Sequence, residues 1–241
     1  MKTVEVCFTP DLLEKYEIKN KIVVVVDILR ATTIITTMFK NGLHRLIPVE
    51  NLDQAKVYKK KGFLVAAERE GLKVDFADFN NSPYSFPLEK IQGKTIVYSS
   101  TNGTNTILRT YKARQVVLGS FLNITAIAQY LKQRNQDVLL LCAGWQGKFC
   151  TEDALFAGAL SEKLFTTDQF ETRCDSTLAT MDLWSLAKKD LLAYIKTMAQ
   201  YQRLTRLGLE DIIEYCFQID TTKAIARLKE NYLVELKDFI Q

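Results

Sequence analysis

Five consecutive β-branched residues, Ile22-Val-Val-Val-Val26, run without a polar interruption into Asp27. Such a run predicts a strand buried on both faces, the kind found inside a parallel sheet. A strand of that kind needs helices above and below it, which already restricts the fold class. The run ends in Asp27-Ile-Leu-Arg30-Ala-Thr-Thr33: a carboxylate, a guanidinium three residues later, then two threonines suited to opening a helix. Open α/β sheets place their ligands at the carboxyl ends of strands. Taken alone, Asp27 and Arg30 read as an ion pair or cap closing one βα turn. A shared site would require other junctions to repeat the pattern.

The same rhythm fills the first two thirds of the chain. Lys2–Phe8, Arg45–Val49, Phe63–Ala67, Thr95–Ser99, Gln115–Leu118 and Val138–Cys142 read as further strands. Helices are expected over about 31–41, from the Asn51 cap to about Lys61, from Thr104, over 123–134 and from Thr151. Residues 71–92 carry two prolines and several turn formers and read as a long functional loop. Residues 176–217 are helical in period and read as core packing. Periodicity leaves Tyr232–Leu236 open between a strand and the end of a helix begun at Thr222. The expectation is a three-layer α/β/α architecture with a largely parallel or mixed sheet and a helical C-terminal third, in one domain spanning 1–241.

Bulk properties exclude several classes. A chain of 241 residues with 47% hydrophobic and 25% charged content is ordinary for a globular protein. The net charge of +4 is mild and the basic residues are dispersed, so no nucleic-acid partner is implied. No apolar run reaches the roughly 18 residues needed to span a bilayer, and no membrane partner is expected. Five cysteines without a CxxC pair argue against a disulfide framework and against zinc, and a cytoplasmic location follows as the simplest expectation. A homo-oligomer is compatible with all of this.

The junctions do repeat the pattern. Strand ends carry Asp27 and Arg30; Glu68 and Arg69; Ser99 through Asn102 and Thr104; Ser120 and Asn123; then Cys142, Gly144 and the pair Glu152-Asp153. If the sheet is parallel, these ends share one edge and converge. Each has a structural explanation, such as a helix cap, but five together favour a shared site. Asp27, Glu68, Glu152 and Asp153 are hard oxygen donors suited to Mg²⁺. Arg30 and Arg69 offer planar forks for phosphate or another oxyanion. The glycine-containing turns Asn102-Gly-Thr104 and Gly144-Trp-Gln-Gly147 precede helices, whose amide ends favour anions. His44, the single histidine, begins a strand and is a poor acid–base candidate. Neither a GxxxxGK[ST] loop nor a GxGxxG fingerprint occurs, which leaves water activated with carboxylate and metal assistance as the simplest chemistry. Cys142 reads as a small packing residue in preference to a nucleophile.

Together the segments Val26-Asp-Ile-Leu-Arg-Ala-Thr-Thr33, Ala67-Glu-Arg-Glu-Gly71, Asn80-Asn-Ser-Pro83, Thr101-Asn-Gly-Thr104, Gly119-Ser-Phe-Leu-Asn123 and Cys142-Ala-Gly with Phe149-Cys-Thr-Glu-Asp153 resemble the 2-phosphosulfolactate phosphatase family. The resemblance runs in order along most of the chain. It implies an α/β fold, a phosphoric monoester hydrolase that converts (2R)-2-phospho-3-sulfolactate to 3-sulfolactate and phosphate, a place in coenzyme M biosynthesis, and Mg²⁺ as cofactor. Two departures stand out. The family pattern before Ser-Pro usually reads Gly-Asn, where this chain has Asn80-Asn81, and the tail after Asp220 differs from the usual ending.

The resulting expectations are specific. Asp27, Glu152 and Asp153 are the metal-ligand candidates, and Asp27, Glu68 and Glu152 the catalytic carboxylates. Arg30, Arg69, Asn81, Ser82, Asn102, Gly103, Thr104 and Asn123 are the candidates for binding a small anionic phosphorylated substrate. Two rivals accompany this reading: a phosphatase acting on another small acidic phosphomonoester, and a noncatalytic protein that binds such a ligand.

Overall fold

A computed structural model describes residues 1–69 and 71–237. Glu70, part of the Glu68-Arg69-Glu70-Gly71 segment, lies outside the described residues. Strands β1 (Lys2–Cys7) and β2 (Ile22–Val26) lead into α1 (Ala31–Lys40), β3 (Arg45–Pro48), α2 (Leu52–Lys60) and β4 (Leu64–Arg69). The Asn51 side chain accepts from the Gln54 amide and caps α2 as its residue type suggested. The stretch read as one long loop is broken by a short strand, β5 (Leu72–Lys73), a 3₁₀ turn at Pro83–Ser85 and a single-turn helix, α3 (Leu88–Ile91). Then follow β6 (Thr95–Ser99), α4 (Gly103–Arg109), β7 (Gln115–Gly119), α5 (Ile124–Arg134), β8 (Val138–Cys142) and α6 (Thr151–Leu164).

The helical C-terminal third is α7 (Asp175–Ala187), α8 (Leu191–Ile195), α9 (Ala199–Thr205) and α10 (Glu210–Cys216), preceded by the short β9 (Phe170–Glu171). The ambiguous tail is a strand: β10 (Ala226–Lys229) and β11 (Tyr232–Glu235) form an antiparallel hairpin. No helix begins at Thr222. Cross-strand pairing, which a single-segment period cannot show, settled the choice.

Among the described residues the strands form one sheet in the order β5-β4-β6-β3-β11-β10-β7-β2-β8-β1-β9. Two parallel blocks, β4-β6-β3 and β7-β2-β8-β1-β9, flank the terminal hairpin. Three successive antiparallel pairings therefore separate β3 from β7. This corrects the expectation that all strand ends lie along one common edge. The blocks meet through joints of one residue pair each, Leu46 with Leu233 and Val117 with Arg227. So few ladder bonds leave the sheet free to coil sharply there.

Helix α1 packs against strands of both blocks. Val23 and Val25 of β2 pack with Ile34, Ile35 and Met38 of α1, and the same cluster holds Leu46, Ala66, Ile96 and Tyr98 from the other block. Ile22, Val24 and Val26 face the opposite way, toward Ile127, Leu155 and Phe156. The other block has its own outer layer, where Val65, Ala67 and Val97 meet Ala55 of α2. The pleat thus divides each central strand between two layers, giving the three-layer α/β/α arrangement. Every residue from Ala31 to Phe39 is buried, as expected of a helix with protein on all sides. Its threonines pair inside that environment: Thr33 Oγ1 donates to Ile28 O (3.0 Å) and Thr37 Oγ1 to Thr33 O (2.9 Å). Because both blocks wrap α1, both deliver their junctions to its N-terminal end.

Candidate active site

Asp27 occupies the turn between β2 and α1 and is held there by reciprocal bonds with Thr32. The Asp27 amide donates to Thr32 Oγ1 (3.0 Å), and Thr32 Oγ1 donates to Asp27 O (2.9 Å). Asp27 Oδ1 accepts from the Ala31 amide at 3.1 Å. Burial is the main cause that pushes its carboxyl up to about 6; the Ala31 amide opposes this and the Glu68 charge adds to it. Gly103, at the start of α4, packs against the same carboxylate. A β-carbon there would stand 2.7 Å from Asp27 Oδ2 and 2.3 Å from the Ala31 β-carbon.

Arg30 is 5% exposed, and its Nη2 donates to Gly71 O at 3.0 Å. Among the described residues it forms no ion pair, so the simple Asp27–Arg30 salt bridge is not made. Glu68 arrives from the end of β4, buried, with both oxygens engaged. Its Oε1 accepts from Thr101 N (2.6 Å) and Thr101 Oγ1 (3.0 Å), and its Oε2 from Gly71 N (2.7 Å). This carboxylate ties the β6–α4 turn to the segment after β4. Asp27, Arg30, Glu68, Asn81 and Asn102 all line one small cavity.

Asn81 is buried beside that cavity, and its Oδ1 accepts from the fully buried Tyr98 hydroxyl. The Asn80 substitution has a local explanation. Asn80 Oδ1 accepts from the Ser82 amide (3.0 Å) and from Ser85 Oγ, an Asx turn that sets the path into Pro83. Asn80 is not among the residues with positive φ, so its backbone does not need the conformational range of glycine.

Glu152 and Asp153 open α6. Burial is the main cause that pushes Glu152 up to about 7, with the Asp27 charge adding to it and Arg203 opposing it. Asp153 is used structurally: Oδ1 accepts from Ile28 N (2.9 Å) and Oδ2 from Gly144 N (3.1 Å), tying α6 to the β2 and β8 turns. Burial and the neighbouring Glu152 charge hold its carboxyl well above the usual range. The expected three-carboxylate metal set is therefore not assembled. Asp153 has turned both oxygens to backbone amides, and among the described residues no three His, Cys, Asp or Glu side chains are arranged to hold a metal ion. A magnesium ion needs only one or two carboxylates and keeps several waters. Asp27 and Glu152, two buried acids of which the first raises the second, fit that smaller requirement.

Two further residues complete the cavity, and neither was singled out from the sequence. Trp145 is carried on a tight turn closed by Trp145 N to Lys148 O (2.9 Å) and Lys148 N to Trp145 O (3.0 Å). Gly144 makes that turn at φ +61, and a β-carbon there would stand 2.3 Å from Lys148 O. Arg203 comes from α9, in the helical third read as core. Its guanidinium lies over the Trp145 ring at 4.1 Å, and its Nε donates to Gln200 Oε1 at 2.7 Å. Burial and the Arg30 charge lower its proton affinity. The only local hint was a cation within an otherwise amphipathic helix, which a solvated face explains equally well.

Four of the expected substrate contacts lie elsewhere. Arg69 spends its guanidinium on Glu68 O (2.6 Å) and Ser99 Oγ (3.0 Å). Thr104, fully buried in the first turn of α4, exchanges bonds with Ser100, whose Oγ accepts from the Thr104 amide at 3.1 Å. Ser82 is buried, with its amide held by Asn80. Asn123 forms a capping box with Ser120, and its Nδ2 donates to Ala224 O at 2.8 Å, fastening the β7 turn to the segment before β10. None of the four lines the cavity. Burial holds the Cys142 thiol well above its usual range, in keeping with a packing role.

The chain matches known proteins over most of its length. A family model described as 2-phosphosulpholactate phosphatase matches residues 7–231. A protein of Caldanaerobacter subterraneus subsp. tengcongensis named probable 2-phosphosulfolactate phosphatase is 37% identical over 227 residues, covering 92% of this chain and 94% of that protein. Similarly named proteins of Thermotoga petrophila and Clostridium acetobutylicum are 37% and 32% identical, covering 90% and 92% of this chain and 92% and 95% of their own lengths.

Proposed function

Because the chain belongs to the 2-phosphosulfolactate phosphatase family, a family of phosphoric monoester hydrolases, we propose that it hydrolyses (2R)-2-phospho-3-sulfolactate to 3-sulfolactate and phosphate, using Mg²⁺. The observation that carries this reading is the meeting of acids and cations at one cavity: buried Asp27 and Arg30 and half-buried Arg203 line it, and buried Glu152 lies within electrostatic reach of Asp27 and Arg203.

Carboxyls at about 6 and about 7 ionise close to neutral pH, and a divalent cation would displace the protons that remain. Asp27 and Glu152 would hold the ion, which when bound supplies positive charge to the phosphoryl oxygens. The chain's own residues do the rest. Arg30, fixed by Gly71 O, receives a phosphoryl oxygen through its planar fork. Glu68 holds Thr101 and Gly71 in place and acts through them. Asn81, oriented by Tyr98, and Asn102 supply polar contacts at the rim. A water attacks phosphorus, the ester P–O bond breaks toward the substrate carbon, and the released alkoxide takes a proton. Preorganised charge where negative charge develops is the main source of acceleration in such chemistry.

The test is phosphate release from phosphosulfolactate by purified protein, after EDTA treatment and again with Mg²⁺ restored. Turnover that disappears and returns supports the reading. No release under either condition, with a folded protein, overturns it.

A further inference from the structure

The small cavity around Asp27 offers about 20 Å³, room for about one water molecule or metal ion. The organic part of any phosphomonoester must therefore lie outside it. A larger cavity of about 430 Å³ adjoins it, a volume common for small-molecule sites. The two share the wall made by Thr101 and Asn102, and the turn that carries Trp145 into the small cavity presents Ala143 and Gly147 to the large one. Both cavities thus lie between the same two βα turns, so a group esterified to a phosphate at Asp27 has a direct path into the larger space.

The large cavity is polar and carries no spare positive charge. One wall is a face of α4, where Asn102, Asn105, Thr106 and Arg109 recur at helical spacing. Asn105 is exposed, and its side-chain amide takes part in no hydrogen bond among the described residues. Arg109 is already paired: its Nη1 donates to Asp11 Oδ1 at 2.8 Å. Gly147 closes on the same carboxylate, since a β-carbon there would stand 2.7 Å from Asp11 Oδ2. Glu50 adds a second carboxylate, which no cation among the described residues pairs. A second oxyanion would meet that surplus negative charge. A neutral group rich in hydroxyls would not: its hydroxyls can accept from the asparagine amides and donate to the carboxylates. Tyr111, 72% exposed at the rim, offers a ring for the C–H face of such a group.

We propose that this cavity gives the enzyme a further activity, the hydrolysis of larger phosphomonoesters whose alcohol is neutral and polyhydroxylated, a phosphorylated sugar or polyol. Asn105 is the specificity-determining residue for them. This rests on the hydrolase reading for the reaction. A water oxygen bonds to phosphorus, the ester P–O bond breaks, and the leaving alkoxide takes up the proton that the water gives up, so the free sugar and phosphate are the products. Contacts along α4 hold the alcohol and leave the phosphoryl group to Asp27 and Arg30.

The experiment measures kcat/KM for glucose 6-phosphate and for phosphosulfolactate on the same purified protein with Mg²⁺. The unaltered protein is expected to release phosphate from both. Asn105→Ala should lower the value for glucose 6-phosphate relative to phosphosulfolactate by about five- to tenfold, chiefly through KM, the loss of one hydrogen bond or two. The position is exposed and alanine is the better helix former, so this variant is expected to fold. Asn105→Trp narrows the cavity and should lower the ratio further. Hydrolysis of phosphosulfolactate alone overturns the proposal and leaves the hydrolase reading standing. Hydrolysis of glucose 6-phosphate alone, with the Asn105 effect, supports the cavity and rejects phosphosulfolactate as the substrate. An equal effect of Asn105→Ala on both esters, or none on either, overturns the assignment. Phosphate release from neither ester rejects both readings.

Discussion

Gly103 stands so close to Asp27 that a single added carbon would reach 2.7 Å from its Oδ2. The same carbon would meet the Ala31 β-carbon at 2.3 Å, so neither the carboxylate nor the first turn of α1 could stay where it is. The glycine is required for close approach of two elements from different blocks of the sheet.

Gly103→Ala should therefore destabilise the fold by about 2 kcal/mol, typical of overpacking a tight interior. It should also reduce turnover beyond what lost stability explains, since it displaces Asp27. Thermal denaturation and kcat/KM on the same preparation check this. A variant with unaltered Tm and activity would mean that α4 moves aside freely.

Asp27→Asn keeps the acceptor for the Ala31 amide and removes the charge. It should fold normally and lose roughly a hundredfold or more of Mg²⁺-dependent turnover, the scale seen when a positioned acid–base group is removed. Full turnover in a folded Asp27→Asn protein would remove Asp27 from the site.

The raised carboxyls make stability depend on pH in a defined direction. Asp27 and Glu152 sit at about 6 and about 7 in the folded chain, and both would titrate at about 4 when unfolded. Folding takes up protons between those values. The contribution of these groups is fully present below about 4 and is lost as pH rises through 6 to 7. With EDTA present, Tm should therefore be lower at pH 8 than at pH 5. Magnesium should raise Tm more at pH 8 than at pH 5, because at the lower pH it competes with protons. Equal Tm responses to Mg²⁺ at both pH values would speak against Asp27 and Glu152 as its holders.

Asn123→Ala separates structure from chemistry. It removes a capping box and leaves Ala224 O without its buried donor, together worth about 2 kcal/mol. Tm should fall, while KM for phosphosulfolactate should stay within about twofold at a temperature where the variant is folded. A tenfold change in KM would return Asn123 to the substrate contacts.

The parts that were legible are those set by local pattern. The β2 strand, the α1 helix behind it, the Asn51 cap and most βα units are where period and turn chemistry place them. Chemistry-bearing residues at strand ends were also recognisable, because a charge placed after an apolar strand has few structural uses. Which of them reach the cavity was not recognisable. Asn123 and Thr104 look like ligands and are bonded locally, Asn123 in a capping box and Thr104 to Ser100, since a polar side chain at a helix start serves either purpose. Arg69 looks like a partner of Arg30 and is held by Glu68 O and Ser99.

By itself the sequence determined the alternation of strands and helices, the burial of β2 on both faces, and the carboxylate and guanidinium at its end, all consequences of side-chain type and spacing within a few residues. Tertiary structure decided the rest. The β10–β11 hairpin inserts between the two parallel blocks and joins each through one residue pair, and α1 packs against strands of both blocks, whose ends meet at its first turn. The same packing carries Arg203 from α9 onto Trp145 beside the turn that begins with Asp27. Such contacts join residues far apart in the chain, where periodicity holds no record of them and only the closing of the core selects them.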